Sequence, residues 1–420
     1  MTKINNHGAF FAVLFLIAVS PAVDSAPVQA MEHTKTLPSG RFNLNVRSIA
    51  TGITSKSNAN GEGEGLAAPL ERDLTFNDVL RNQVAVSSTR AAKVEGFMLA
   101  NEFERSDSLG RFSASAKASV RATAPVLAYG ISDKVTVAVG APFMSARSAI
   151  SVGFTRSETA SQFLAMLSDP ANNQHEAALE LDEKLGAAVT ELNRELLNYG
   201  VEPLRDWQGS GWGDTTIATK WRAWESGPVA LATTFGSVLP TGRTDQARIM
   251  NDVPFGEGQT DLFTQATWEE NIMTGFSISQ TIKYTHQLPS QREVFRGLNP
   301  EDLDAGTIDA SFKLGDRIDA SLGMAWAHES GVTASVGCQA NRKWSDRYQD
   351  ADGNRLSALE AHTDQTVFLG ELAAGFSTVE GYLRGAYLAP AEVNFAVARQ
   401  ITSRNAMESD LYEMSASLFF

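Results

Sequence analysis

The chain has 420 residues and carries 35 Lys and Arg against 49 Asp and Glu, a formal charge of −14. That acidity excludes a nucleic-acid binder, because phosphate backbones require a basic footprint. The single cysteine, Cys338, excludes an intramolecular disulfide and a cysteine-rich metal centre.

The N-terminus reads as an export signal. Lys3 supplies a positive start, and Ala9 to Val19 is an apolar run too short to span a bilayer, which takes about 20 residues. Val28-Gln29-Ala30 fits a small-x-small cleavage site, giving a signal peptide over 1–30. No other stretch is long and apolar enough for a transmembrane helix, so the expected product is either soluble beyond the inner membrane or a barrel in the outer membrane of a Gram-negative bacterium. Residues 31–93 show no sustained period and are rich in Ser, Asn and Gly; they are expected to be a leader or a plug. Within them Arg41 to Ala50 fits one strand, and Thr75 fits a helix N-cap with Asp78 in the first turn.

From Val94 onward the pattern has period two. Ile308, Ala310, Phe312 and Leu314 oppose Asp309, Ser311 and Lys313. Ile318, Ala320, Leu322, Met324 and Trp326 oppose Asp319, Ser321 and Gly323, and Cys338 closes an apolar set with Val332, Ala334 and Val336. Alternation repeated this often, with charge on one face, indicates a barrel with a polar lumen. Tight turns at Ser132-Asp133, Ser226-Gly227, Glu270-Asn271 and Asp316-Arg317 alternate with long links near 148–210, 241–256 and 287–304. Short turns and long loops on opposite sides are the outer-membrane rule; Ser132-Asp133 and Asp316-Arg317 are thereby expected at the periplasmic side. With Val94 to Phe103 as the first strand, the count is about 14, with 12 as the alternative. The chain ends on a strand in which Tyr412, Met414, Ala416, Leu418 and Phe420 share one face. A terminal Phe there resembles the signal read by the barrel assembly machinery.

Between 155 and 200 the period becomes helical. Glu158 to Ser168 and Ala171 to Tyr199 read as a helical hairpin split at Asp169-Pro170, with Leu181, Leu185, Leu192 and Leu196 on one stripe. That stripe either packs on the barrel rim or offers apolar surface to a ligand. Gly130 and Gly227 suit turns needing positive φ, and Pro142 and Pro240 suit strand ends. Asp214, Lys220, Arg222 and Lys283 lie on polar strand faces and are expected in a lumen charge network.

Three stretches carry a resemblance: Tyr129-Gly130-Ile131-Ser132-Asp133 running to Pro142, Gly211-Trp212-Gly213-Asp214 continuing through Lys220-Trp221-Arg222, and Pro240-Thr241-Gly242. In this order they resemble the MetA-pathway phenol-degradation family of FadL-like outer-membrane barrels. The resemblance covers 120–245 well. It implies an all-β transmembrane barrel over 94–420 with an N-terminal plug and external helices. It also implies passive uptake of small hydrophobic or aromatic compounds, without cofactor or metal, in contact with outer-membrane lipid and lipopolysaccharide.

Other chemistry is weakly signalled. The histidines show no metal-ligand spacing, and Asp350 to Asn354 lacks the terminal carboxylate of a calcium loop and reads as a turn. His328-Glu329-Ser330, placed at an external strand end, offers a His and a Ser two residues apart. On a strand these point the same way, the geometry a lipid acyl hydrolase needs. Three readings stand: hydrophobic-compound channel, non-transporting barrel that is structural or binds a partner, and acyl hydrolase.

Overall fold

The computed structural model describes residues 32–80, 88–198, 200–295 and 307–420; the expected signal segment and Tyr199 lie outside them. The first half of the chain supplies β1 (Phe42–Ser57), β2 (Gly63–Gly65), β3 (Asp73–Thr75), β4 (Ser108–Ser132), β5 (Val135–Gly140), β6 (Phe143–Arg156), β7 (Trp207–Trp212), β8 (Thr215–Ser226) and β9 (Val229–Leu239). The second half supplies β10 (Asp261–Met273), β11 (Phe276–Gln287), β12 (Ser290–Phe295), β13 (Thr307–Lys313), β14 (Arg317–Ala327), β15 (Val332–Lys343), β16 (Arg347–Gln349), β17 (Gln365–Ser377), β18 (Ala391–Arg404) and β19 (Met407–Phe419). The longer helices are α1 (Ser88–Ala100), α2 (Glu158–Ser168), α3 (His175–Gly186) and α4 (Ala188–Asn198).

Strands β1, β4, β5, β8, β9, β10, β11, β14, β15, β17, β18 and β19 form a closed antiparallel ring of 12. β1 closes it. One edge of β1 pairs with β19 from Asn43–Phe419 to Lys56–Met407, and the other pairs with β4 from Phe42–Tyr129 to Ile53–Ala118. Full closure leaves no unpaired ring edge, the condition for a sheet to sit in lipid.

The ring corrects the expected count of about 14 to the alternative of 12. β12 and β13 alternate as barrel strands do, yet they pair with each other and with β16 in a separate three-stranded sheet. Their apolar face finds its own core of Val294, Ala310, Phe312, Leu314 and Tyr348. Val94 to Phe103 is not a strand: Val94, Phe97 and Met98 recur at helical spacing and lie on α1, with Met98 fully buried. The first barrel strand is instead β1, inside the segment expected to be leader or plug. Removing β12 and β13 also reverses the sides of neighbouring turns. Asp316-Arg317 lies with the long connections, and His328–Gly331 lies with the short turns at 132–135, 226–229 and 273–276. The expected Glu270-Asn271 turn sits four residues later, at Thr274-Gly275, where Gly275 takes φ +78°.

The outward face is apolar around the ring. Leu322, Met324, Leu372, Phe395, Ile401 and Met414 are exposed, Leu372 by 65%. Burying such a side chain is worth about 1.5–3 kcal/mol, and here the protein covers none of them. Aromatic contacts mark both borders of this band: Phe42 against Tyr129 and Phe420 at the short-turn end, and Phe143 against Trp212 at the other. Among the described residues no helix is long and apolar enough to cross a membrane. The band belongs to the strands.

Two paths bend at the upper border. β5 resumes as β6 beyond Pro142, and β7 turns into β8 at Gly213-Asp214; β6 and β7 pair with each other. β4 and β6 continue together to Gly110–Arg156, well past the end of β1. This ribbon carries a cap with a core of its own. Leu74, Phe76, Met98, Phe112, Phe163 and Leu196 are buried within it, and the cap gathers chain from before β4 and from between β6 and β7.

Candidate channel lumen

Inward side chains form one apolar patch in an otherwise polar lumen. On the inner face of β1, β4 and β6 lie Ile53, Val120, Ala122 and Met144, joined by Val253 and Phe255 from the link between β9 and β10. All six are buried. Nearer the short-turn end of β1 and around the rest of the ring, inward residues are polar. Arg47 reaches Glu413 at 2.7 Å across β1 and β19. Glu269 accepts the N–H and the hydroxyl of Thr34, both at 2.8 Å. Asn341 donates to Asp319 across β14 and β15.

The apolar wall is completed by a folded-in loop, and Asp214 holds that loop. Its carboxylate accepts the Gly242 N–H at 2.8 Å and the Glu257 N–H at 3.0 Å. The Thr241 hydroxyl accepts the Thr215 N–H at 2.9 Å and donates to the Gly213 carbonyl at 3.2 Å. A Cβ on Gly256 would lie 2.4 Å from the Asp214 carboxylate, so only glycine lets the backbone approach that closely. The loop is braced from inside. Arg243 pairs with both carboxylate oxygens of Asp252, at 2.9 and 2.6 Å, and stacks over Trp207 and Phe255 at 5.0 and 4.9 Å. Burial pushes the Glu257 carboxyl up, against the pull of Arg317 and Lys343. The Gly-Trp-Gly-Asp and Pro-Thr-Gly stretches are thus the two halves of one clasp at the strand bend.

A second segment enters from the short-turn end. Residues 32–40 run along the inner wall: Lys220 donates to the His33 carbonyl at 2.9 Å, and the Leu37 N–H donates to Thr136 at 2.8 Å. Gly130 serves this segment. Its φ is not positive, contrary to expectation; a Cβ there would lie 2.1 Å from the Pro38 carbonyl oxygen. Of the segment expected to be leader or plug, these few residues lie along the inner wall, and its other described residues give β1 and part of the cap.

No family model and no curated protein matches the sequence. Solved structures are similar in overall course. A COG4313 outer membrane channel from Pseudomonas putida F1 superposes with a TM-score of 0.49 at 11% identity, covering 93% of this chain and 99% of that one. The toluene transporter TbuX of Ralstonia pickettii gives 0.35 at 10% identity, covering 94% of each chain. A Pseudomonas aeruginosa FadL homologue gives 0.34 at 6% identity, covering 90% of each. The β domain of the Bordetella autotransporter BrkA gives 0.31 at 8%, covering 91% of this chain and 100% of that one. The ring itself rests on the ladders described above.

The residues singled out in the sequence do not form one site. Asp214 clasps the loop, and Lys220 holds the N-terminal segment. Arg222 donates to the Asp133 carbonyl at 2.8 Å and pairs with Glu225 at 3.2 Å. Lys283 lies over Phe263 at 4.5 Å, cross-strand from Asp319. Lys220 also pairs with Glu32 at 3.8 Å, and Glu32, Asp261, Arg317 and Asp319 all act on Lys283, so these charges are linked through neighbouring lumen groups and not by direct contact with one another. Leu185, Leu192 and Leu196 are buried in the cap core with Leu181 packed against it, so the stripe presents no open surface. The helix expected over Ala171 to Tyr199 is broken into α3 and α4 at Ala187. His328 Nδ1 lies 2.8 Å from the Ser330 hydroxyl and accepts the Ser330 N–H at 3.2 Å. The imidazole closes an exposed tight turn there, at the end opposite to the one expected. Asp350 likewise accepts the N–H groups of Asp352 and Asn354 in a turn. Sequence reasoning missed Arg47, Glu269 and Phe255. Only pairing reveals the first two, since β1 was placed outside the barrel and the partner of Glu269 lies 235 residues away.

Proposed function

We propose that this chain is an outer-membrane channel for passive uptake of small hydrophobic or aromatic compounds. The observation that carries the proposal is a closed 12-stranded ring with an apolar outward band and an apolar inner wall of Ile53, Val120, Ala122 and Met144, which Val253 and Phe255 of the folded-in loop cover. These six side chains pack against one another, so an apolar solute gains transfer free energy at this wall only when the loop carrying Val253 and Phe255 lifts away from it. The exposed apolar band supports a ring seated in lipid, and the rule of short periplasmic turns supports a cap on the outside. The test compares uptake of an alkylphenol in cells with the protein, cells lacking it, and cells carrying Val120→Asn. Uptake that falls in the last two, with a hydrophilic control solute unchanged, supports the channel. Equal uptake in all three, over several aromatic and fatty-acid probes, leaves the non-transporting reading.

A further inference from the structure

Above the Phe143–Trp212 contact, the outward face of the wall changes character. On β4 it passes from Ile131, Tyr129 and Leu127 to Arg121 and Lys117; on β6 it passes from Phe143 to Ser145 and Arg147. The register sets Arg121 opposite Ser145 and Arg147 opposite Ser119, so the two guanidinium groups are diagonal neighbours on one face, roughly 7–8 Å apart at the backbone. Lys117 follows one step further along the same face, opposite Ala149. Arg121 and Arg147 stand at a recess of about 620 Å³ in the outer wall, bordered also by Gly52, Ser119, Ser210 and Tyr412.

The recess is of mixed polarity and its charged groups are basic, on a chain of net charge −14. No ion pair is formed by Arg121, Arg147 or Lys117 among the described residues. The outward carboxylates of the neighbouring β19 are turned elsewhere. Glu408 accepts from the Ser55 hydroxyl at 2.6 Å, and Asp410 faces Arg399 at 3.9 Å. Two arginines on one face, with hydroxyl and amide donors beside them, match a phosphate monoester, whose oxygens accept forked guanidinium bonds. The height of the site selects the source. It sits at the upper edge of the apolar band, beside Tyr412, where acyl chains meet headgroups.

We propose that this recess binds a phosphate of a membrane-anchored anionic glycolipid of the lipid A type, with its acyl chains lying on the apolar band below. The proposal rests on the outer-membrane reading and is independent of transport. The test uses purified full-length protein in neutral detergent with a metal chelator, titrated with bisphosphorylated lipid A and followed by native mass spectrometry. Arg121→Gln with Arg147→Gln is expected to weaken binding by roughly tenfold or more. Lys134→Gln, at the short-turn end, is expected to leave it unchanged, and dephosphorylated lipid A is expected to bind the wild type as weakly as the double variant binds the phosphorylated lipid. Heat-modifiable migration of every variant confirms that the barrel is closed. Equal affinity of wild type and double variant overturns the site. Displacement of lipid A by excess inorganic phosphate overturns the lipid as its occupant.

Discussion

Replacing Leu185 and Leu192 together by Ser separates two roles for the helical stripe. Both side chains are buried in the cap, at 4% and 3% exposure, in one cluster with Phe76, Met98 and Phe163. Truncating a buried leucine costs about 2–5 kcal/mol through lost transfer energy and the cavity left behind. Each serine hydroxyl stranded in that core adds about 1–3 kcal/mol. The pair therefore removes roughly 6–16 kcal/mol, against a domain stability of about 5–15 kcal/mol. The cap should lose its order while the ring persists, because no ring ladder uses either residue. Limited proteolysis and amide exchange of the purified protein read this directly: rapid cleavage and exchange over 158–198, with heat-modifiable migration retained. If 158–198 stays as protected as in wild type and only uptake of an apolar probe falls, the packing argument is refuted and the leucines are ligand surface.

Other perturbations probe the ring and its lumen. Asn45→Cys with Ser417→Cys, in a Cys338→Ser background, should cross-link on oxidation, because the native side chains meet at 2.7 Å across β1 and β19; no cross-link in the folded protein contradicts closure by β1. Gly130→Val should expel residues 32–40 from the inner wall, since its Cβ alone would meet the Pro38 carbonyl at 2.1 Å; the readout is protease access to that segment, and unchanged protection refutes the contact. Burial works to raise the Asp316 carboxyl, but hydrogen bonds from Tyr284, His286, the Gln287 N–H and Lys313 outweigh it and hold the carboxyl well below the usual carboxylate range. A depressed folded value gives stability that is present above the unfolded value of about 3.9 and is lost as pH falls through the folded one. Amide protection of 287–290 should therefore survive into acid below the ordinary carboxylate range in wild type and be weak at every pH in Asp316→Asn; identical profiles contradict it.

What the sequence makes legible is the part written in side-chain alternation. The faces of β14, β15 and β19 are those read from Ile318 to Trp326, Val332 to Cys338 and Tyr412 to Phe420, because lipid on one side and water on the other impose period two. Helix α2 begins and ends at Glu158 and Ser168 as the spacing indicates, with Ser157 capping it through the Ala160 N–H at 3.0 Å. Alternation does not say which strand is the neighbour. β12 and β13 have the pattern and lie outside the ring, while β1, in a Ser- and Asn-rich stretch, lies inside it. Its inward Asn43, Asn45 and Arg47 suit a wet lumen, so its weak apolar signal is what a strand beside that lumen should show. The lumen was legible only in pieces. Asp214 and Thr241 stand 27 positions apart, and their joint role appears once Gly213 and Thr215 bend the wall toward the loop.

The most direct test of the account is to locate a bound apolar probe. A diazirine-bearing alkylphenol, photolysed on the purified barrel in detergent, should label peptides carrying Ile53, Val120, Met144 and Phe255, and labelling should fall in Val120→Asn. Labelling confined to the outward band around Leu322, Leu372 and Phe395, unaffected by Val120→Asn, would contradict binding at the apolar inner wall.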